Sequence, residues 1–298
     1  MLLYDRRWRV QVGTLVLSER ARADQDGLAT TFKITRSLSS THAGTCEVRV
    51  YNLSREHSAE LADAPRRTTF VSVDAGYAEG TSRLFTGNLR KAIPSREGTD
   101  WIVTVTAGDG EYARRNARVG RAFSAQTNLA AVVRYLAEAM GVGVGNAVEA
   151  FRTARMGGGA GVLEDGTLLR GMAAGELTRL CDSAGLTWSI QDGLLQVLPA
   201  GASLGRTAIR LGPDSGLIDT PSILDRRTVE AKALIQPGLV PGQQVVLASA
   251  LVGGVWRISE VTFNGETDGD RWEAELTLKR PMGNLLDRAT PGQTAVDS

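Results

Sequence analysis

Two histidines, two cysteines and 33 acidic side chains are the groups in this 298-residue sequence from which catalytic or metal chemistry could be built. His42 and His57 each lack a second histidine, a cysteine or a paired carboxylate at ligand spacing, so no metal site is expected and both read as solvated or capping residues. Cys46 and Cys181 cannot form a disulfide framework or a zinc site on their own; they read as half-buried thiols of a protein assembled in a reducing cytosol. A Ser-His-Asp set needs no adjacency, so spacing alone does not exclude one. The only near match to a nucleophile elbow, Gly212 to Gly216 (GPDSG), has the wrong spacing. The run Gly141 to Gly145 (GVGVG) follows a helical pattern instead of a strand, the wrong setting for a dinucleotide loop, and reads as a helix stop and turn. The carboxylates single out no acid/base couple, which leaves a wall-degrading activity as a minor reading only. No catalytic residue, cofactor or metal is assigned.

One charge cluster stands out: Arg114, Arg115, Arg118 and Arg121 within EYARRNARVGR. Arginine forks suit carboxylates, so the functional reading is an ionic contact with an acidic partner surface. The alternative is a solvated face at the entry to a middle domain. Nucleic acid is a poorer fit, because no aromatics interleave the arginines and the whole chain carries a net charge of only +1. The same balance gives no pull toward an anionic membrane. No apolar stretch approaches the roughly 18 residues a spanning helix needs, and MLLYDRRWRV has no apolar segment behind it that would make a secretory signal.

The elements that would position these groups change period along the chain. In CEVRVY, Cys46, Val48 and Val50 face one way; in FVSVDAGY, Val71, Val73 and Ala75 do the same, and WIVTVTA from Trp101 is rich in β-branched residues. Such alternation predicts half-buried strands. Between them SREHSAELADA predicts one small helix started by Ser54. The middle third turns helical: Leu129, Val132, Val133, Leu136 and Met140 recur at helix spacing, with Ser124 or Thr127 as cap and Gly141 as stop. A second helix buries Leu177, Leu180, Cys181 and Ala184, and LTWSIQ and LLQVL flank Asp192-Gly193, a strong hairpin signal. The glycine run Met156 to Gly161 reads as a mobile or assembly-ordered loop. Strands then return, with Trp272, Ala274, Leu276 and Leu278 on one face of WEAELTLK. Trp101 follows Phe85 at the interval at which Trp272 follows Trp256, an echo that suggests one β-unit present twice.

Several segments resemble the baseplate hub proteins of contractile phage tails of the Mu-like and T-even-like kind. FKITRSLSSTHAGTCEVRVYNLS is similar to their opening strands, VDAGYAEGTSRLFTGNLRKA to their next strand pair, GLIDTPSIL and ALIQPGLVPGQQVVLAS to later segments, and GVWRISEVTFNGETDGDRWEAELTL to their final hairpin. The resemblance runs from about residue 30 to 280 and implies a mainly β fold with an α/β insert: two related β-barrel-like tube domains flanking a helix-plus-hairpin middle domain. Mapped here, these are residues 1–110, 205–285 and 111–204, with a tail at 286–298. It also implies a homotrimer that joins a hexameric tail tube protein to a trimeric spike or tip protein, with baseplate wedge or peripheral proteins around it. Such a hub is located in the tail baseplate of a virion assembled in the bacterial cytoplasm, without membrane or specific nucleic-acid binding. Strands around 70–107 and 244–279 are expected to continue a sheet between subunits. A tail-tube or distal-tail protein, the hub of a related injection machine, a peptidoglycan hydrolase and a carbohydrate-binding β module remain as alternatives.

Overall fold

Residues 5–18, 20–22, 25–66, 68–156 and 159–281 are described by a computed structural model; the tail expected at 286–298 lies outside them, as do Gly157 and Gly158 of the glycine run. Strands β1 (Arg6–Val12), β2 (Leu15–Ser18), β3 (Arg20–Arg22), β4 (Gln25–Asp26), β5 (Thr30–Ser37) and β6 (Gly44–Tyr51) precede helix α1 (Arg55–Asp63), and β7 (Phe70–Tyr77), β8 (Gly80–Glu97) and β9 (Asp100–Asp109) follow it. The middle of the chain forms α2 (Glu111–Asn116), β10 (Arg118–Phe123), α3 (Leu129–Met140), α4 (Ala147–Thr153), β11 (Arg155–Met156), β12 (Gly159–Ala160), β13 (Thr167–Met172), α5 (Ala173–Ser183), β14 (Leu186–Gln191) and β15 (Leu194–Pro199). The last part is β16 (Ile209–Leu211), β17 (Leu217–Ile223), β18 (Thr228–Leu234), β19 (Gln244–Ala248), β20 (Gly253–Glu266) and β21 (Trp272–Lys279).

The molecule is mainly β with a few helices, as expected. Alternation does its work strand by strand: Cys46, Val48 and Val50 of β6, Val71, Val73 and Ala75 of β7, and Trp272, Ala274, Leu276 and Leu278 of β21 are all buried on one face, while Glu47 and Glu275 face water. Local signals hold in α1, whose start is capped by Ser54 accepting from the His57 amide, and at the β14–β15 turn, where Asp192 and Gly193 both take positive φ (53° and 75°). Helix α3 is capped by Asn128, not by Ser124 or Thr127: Asn128 Oδ1 accepts the Ala130 amide at 2.8 Å, while Thr127 turns its hydroxyl to the Ser124 carbonyl. Helix α4 and the β10–β13 ribbon were not anticipated.

A large sheet of 13 strands runs in the order β17-β18-β21-β20-β5-β6-β9-β8-β7-β1-β2, with β19 on β20 and β16 on β19. One pairing order occurs twice in it. β5-β6-β9-β8-β7 in the first part recurs as β17-β18-β21-β20-β19 in the last, and each copy carries a register shift at the same place, Leu89/Lys91 between β8 and β9 and Ile258/Glu260 between β20 and β21. Matching the two shifts aligns Trp101, opposite Arg96, with Trp272, opposite Gly265. It corrects the other half of the echo: Trp256 aligns with Gly87, not Phe85. The Phe85 ring reaches into the space over Gly87, where an added Cβ would stand 2.6 Å from it, so the bulk comes from two residues away.

The two β-units are not separate closed barrels. β20 pairs with β5, from Glu260↔Ser37 to Glu266↔Thr31, and makes them one sheet. One buried cluster, from Trp8 to Leu278, takes side chains from both units and none from the middle of the chain. A second, from Ala113 to Val197, belongs to the middle alone. At the β5–β20 seam Ile34 and Phe263 are opposite and buried, and Phe32 packs edge-on against Trp272 with ring centroids 5.5 Å apart. Truncating Phe263 to Ala is expected to lower stability by about 3–5 kcal/mol, read as a lower midpoint in urea denaturation, whereas Thr262→Ala on the opposite face should change it little.

Candidate assembly surfaces

The middle domain is held to the sheet at the tip of the β14–β15 hairpin. Asp109, the last residue of β9, accepts the Asp192 amide on Oδ2 at 2.5 Å and the Gly193 amide on Oδ1 at 3.0 Å. Arg36 on β5 closes the same corner. It donates to Gln191 Oε1 (3.0 Å), the Leu84 carbonyl (2.8 Å) and Asp192 Oδ2 (2.7 Å), and Gln191 Nε2 donates to the Ser37 carbonyl at 2.9 Å. Arg36 is only 3% exposed, so its charge is held by a full set of acceptors instead of by water. Burial pushes the Asp109 carboxyl up to about 6; the neighbouring Asp192 adds to the rise, while the Gly193 amide, Arg36 and the Asp192 amide oppose it. Spacing gives no reason to single out Asp109 or Gln191, and marks Asp192 only as a turn residue. Arg36 did leave a trace, since it occupies an apolar-face position after Phe32 and Ile34.

The four arginines noted in the sequence do not share one role. Arg114, on α2, donates to the His42 carbonyl at 2.8 Å and lies over the Trp188 ring at 5.1 Å, with burial lowering its pKa. Arg115 is exposed and pairs with Glu111 at 3.2 Å; Glu111 also pairs with Arg90 of β8. Arg121 lies over the rings of Phe123 and Tyr135, at 5.0 and 5.3 Å. Arg118 is exposed and, three residues earlier on β10, faces the other side of the ribbon from Arg121. Open clefts flank the Arg90–Glu111 pair, one of about 490 Å³ lined by Thr41, His42 and Arg114, the other of about 390 Å³ lined by Arg66, Asn88 and Tyr112. Cys46 and Cys181 are both free and buried. In GVGVG, Gly141 takes the left-handed stop of α3, and Gly145 lies so close to the Leu195 carbonyl that a Cβ would collide with it. The run thus brings the chain onto the hairpin edge. Among the described residues no three metal-ligating side chains gather, and no helix is long and apolar enough to cross a membrane.

The family model described as baseplate hub gp41 matches residues 9–270 of the chain. The chain belongs to that family. This baseplate hub is therefore a structural component of the phage tail baseplate. No curated protein matches it by sequence. Its fold is similar to the 43 kDa tail protein of prophage MuSo2 from Shewanella oneidensis, with a TM-score of 0.64 at 13% identity over 93% of this chain and 97% of that one. The tail protein from Neisseria meningitidis MC58 gives 0.58 at 11% identity over the same shares. The E. coli c3393 protein, described as a component of the type VI secretion system similar to the T4 tail proteins gp27 and gp5, gives 0.54 at 12% identity over 92% of this chain and 77% of that one.

The hub's corner should respond to pH in a defined direction. A carboxyl whose folded pKa lies near 6, above the ordinary 3.8, binds its proton more tightly in the folded state. Its contribution to stability therefore grows as pH falls from about 6 toward 4 and is lost as pH rises through 6. Stability curves of wild type and Asp109→Asn between pH 7 and 4 should diverge by about 1–3 kcal/mol, with the wild type gaining more toward the acid end.

Proposed function

We propose that three copies of this baseplate hub close into a ring that adapts the six-fold tail tube to a three-fold spike or tip protein. Residues 1–110 and 205–285 serve as its two tube-like units, 111–204 as the middle domain. The observation that carries this reading is the doubled strand order. Three chains with two equivalent units each present six similar sheet segments around one axis, which matches a hexameric tube protein without a symmetry break at the sheet. The family assignment supports placing that ring in the tail baseplate, beside wedge or peripheral proteins, in virions assembled in the bacterial cytoplasm. The hub acts by shape and strand pairing and performs no catalysis. It binds neither membrane nor a specific nucleic-acid sequence; the genome passes through the lumen.

Sedimentation or native mass measurement of the full-length hub is expected to give a trimer; a hexamer would favour a tail-tube protein instead. In the sequence Arg114, Arg115, Arg118 and Arg121 form one candidate partner contact. Arg114 is half-buried over Trp188, and Arg121, though exposed, lies over Phe123 and Tyr135; the contact is carried by Arg115 and Arg118, exposed and not stacked on a ring. Reversing both (Arg115→Glu with Arg118→Glu) should block incorporation into tails while lowering the melting temperature of the isolated protein only slightly, through loss of the exposed Arg115–Glu111 pair. Normal incorporation of that variant would remove these two residues from the interface.

A further inference from the structure

Within the chain, β20 serves three neighbours: Gly253 to Arg257 pairs with β19, Arg257 to Gly265 with β21, and Glu260 to Glu266, on the side away from β21, with β5. β8 has counterparts of the first two: Gly80 to Asn88 pairs with β7, and Asn88 to Glu97 with β9. The side of β8 that would correspond to the β5 side of β20 has no strand on it among the described residues; α1 packs on β8 but adds no ladder. β17, the counterpart of β5, pairs with β18 and has no strand on its other side. The repeat thus leaves two open edges that are the halves of a junction already made once inside the chain. We propose that the Lys91–Glu97 edge of one copy pairs antiparallel with the Leu217–Ile223 edge of the next, repeating between chains the β20–β5 seam.

The register follows from the shifts and ladders already given. Ile34 pairs with Cys46 and Ile223 with Val229, and Cys46 and Val229 face equivalent positions, Ala107 and Leu278. Ile223 therefore stands for Ile34, Leu224 for Thr35, Pro94 for Phe263 and Ile93 for Thr262. In the internal seam Phe263 opposes Ile34, and Thr262 opposes Thr35 with their hydroxyls 3.1 Å apart. Between chains Pro94 would oppose Ile223, and Ile93 would oppose Leu224. Ile34 is fully buried, yet its counterpart Ile223 is 63% exposed, and Ile93 and Leu224 are 46% and 57% exposed. Large aliphatic side chains thus stand uncovered at the very positions the register brings together.

The two prolines fit the same register. The Leu38 amide bonds to the Ser259 carbonyl at 2.8 Å. Strand alternation from that bond directs the backbone groups of Phe263, Gly265, Ile34 and Phe32 across the seam. Their counterparts are Pro94, Arg96, Ile223 and Pro221. Proline is tolerated in a strand where its nitrogen faces an open edge, as both do here. Each retains a carbonyl, and each carbonyl faces a donor: the Ile223 amide toward Pro94, and the Arg96 amide toward Pro221. The missing donors deny a full ladder to an arbitrary strand, which makes the edges selective for one another. Asp219, Thr220 and Pro221 lie in the β17 bulge between Ile218 and Ser222; counted back from Ile223, Pro221 takes the Phe32 position and Asp219 and Thr220 are the extra residues.

This inference rests on the ring reading, and a cross-linking experiment separates the two. Full-length hub carrying Ile93→Cys with Leu224→Cys is oxidised mildly, with each single variant as control, and its mass is measured before and after reduction; the native thiols are buried. A trimeric mass with disulfide-linked dimers and trimers, formed by the double variant and not by the singles, is the expected result. A trimer without inter-chain disulfides overturns the seam and leaves the ring standing. Disulfide-linked chains in an assembly of another size uphold the seam and overturn the trimer. Monomers that do not cross-link, in solution or in assembled tails, overturn both, and edges occupied by a tail partner would give that last result.

Discussion

A strand satisfies half of its backbone on each side, and an unmatched side has to be closed by another strand, by water or by a partner. The sheet of this hub is organised around that requirement. β5 and β20 are separated by most of the chain, yet they close one another's edges, and with that single pairing two five-stranded units become one sheet over one core. The buried aromatics follow from it: Phe32, Phe263 and Trp272 meet across or beside the seam and would be uncovered if the units stood apart.

The middle domain solves a different problem. It has its own core and therefore its own reason to fold, but it must be oriented on the sheet. The means is polar. A hairpin tip offers two backbone amides to Asp109, and Arg36 ties the tip's side chains to β5 and β8. Buried polar groups of this kind are costly when one member is missing and directional when all are present. They fix an angle, which apolar packing alone does less well.

What could be read from residue order was whatever depends on neighbours in the chain. Alternation in β6, β7 and β21, the Ser54 cap and the Asp192-Gly193 turn are local, and they hold. The seam is not local: nothing in TTFKITRS or GGVWRISEVTFNGE names the other as partner, so the β-units read as two barrels. The echo of Trp101 and Trp272 is legible, but equal spacing misaligns Phe85 with Trp256, because the second hairpin's turn is two residues longer, with Gly265 opposite Trp272 where Arg96 is opposite Trp101. Asn128 does not stand out in the sequence because Ser124 and Thr127 have equally good capping chemistry, and only the path of the chain decides among them. The arginines looked like one cluster because they are close in sequence; a helix and a ribbon then sent them to different places. Of the side chains that close the corner, Arg36 carries a readable signal, a cation where the pattern calls for an aliphatic, and Asp192 is legible only as a turn residue.

The closure of the sheet by strands near the two ends of the chain also sets an order of synthesis. β5 leaves the ribosome long before β20 exists, and the Arg6 guanidinium waits for the Gly269 and Asp270 carbonyls, which it reaches at 2.6 and 3.0 Å. The early unit must persist with Ile34 and a bare strand flank in contact with solvent until translation has passed Glu266. The middle domain, contiguous from Ala113 to Val197, is free to fold in the interval. Late closure of distant strands is slow and leaves an open edge exposed while it waits, so the first unit's flank is the segment of the nascent hub most prone to wrong pairing.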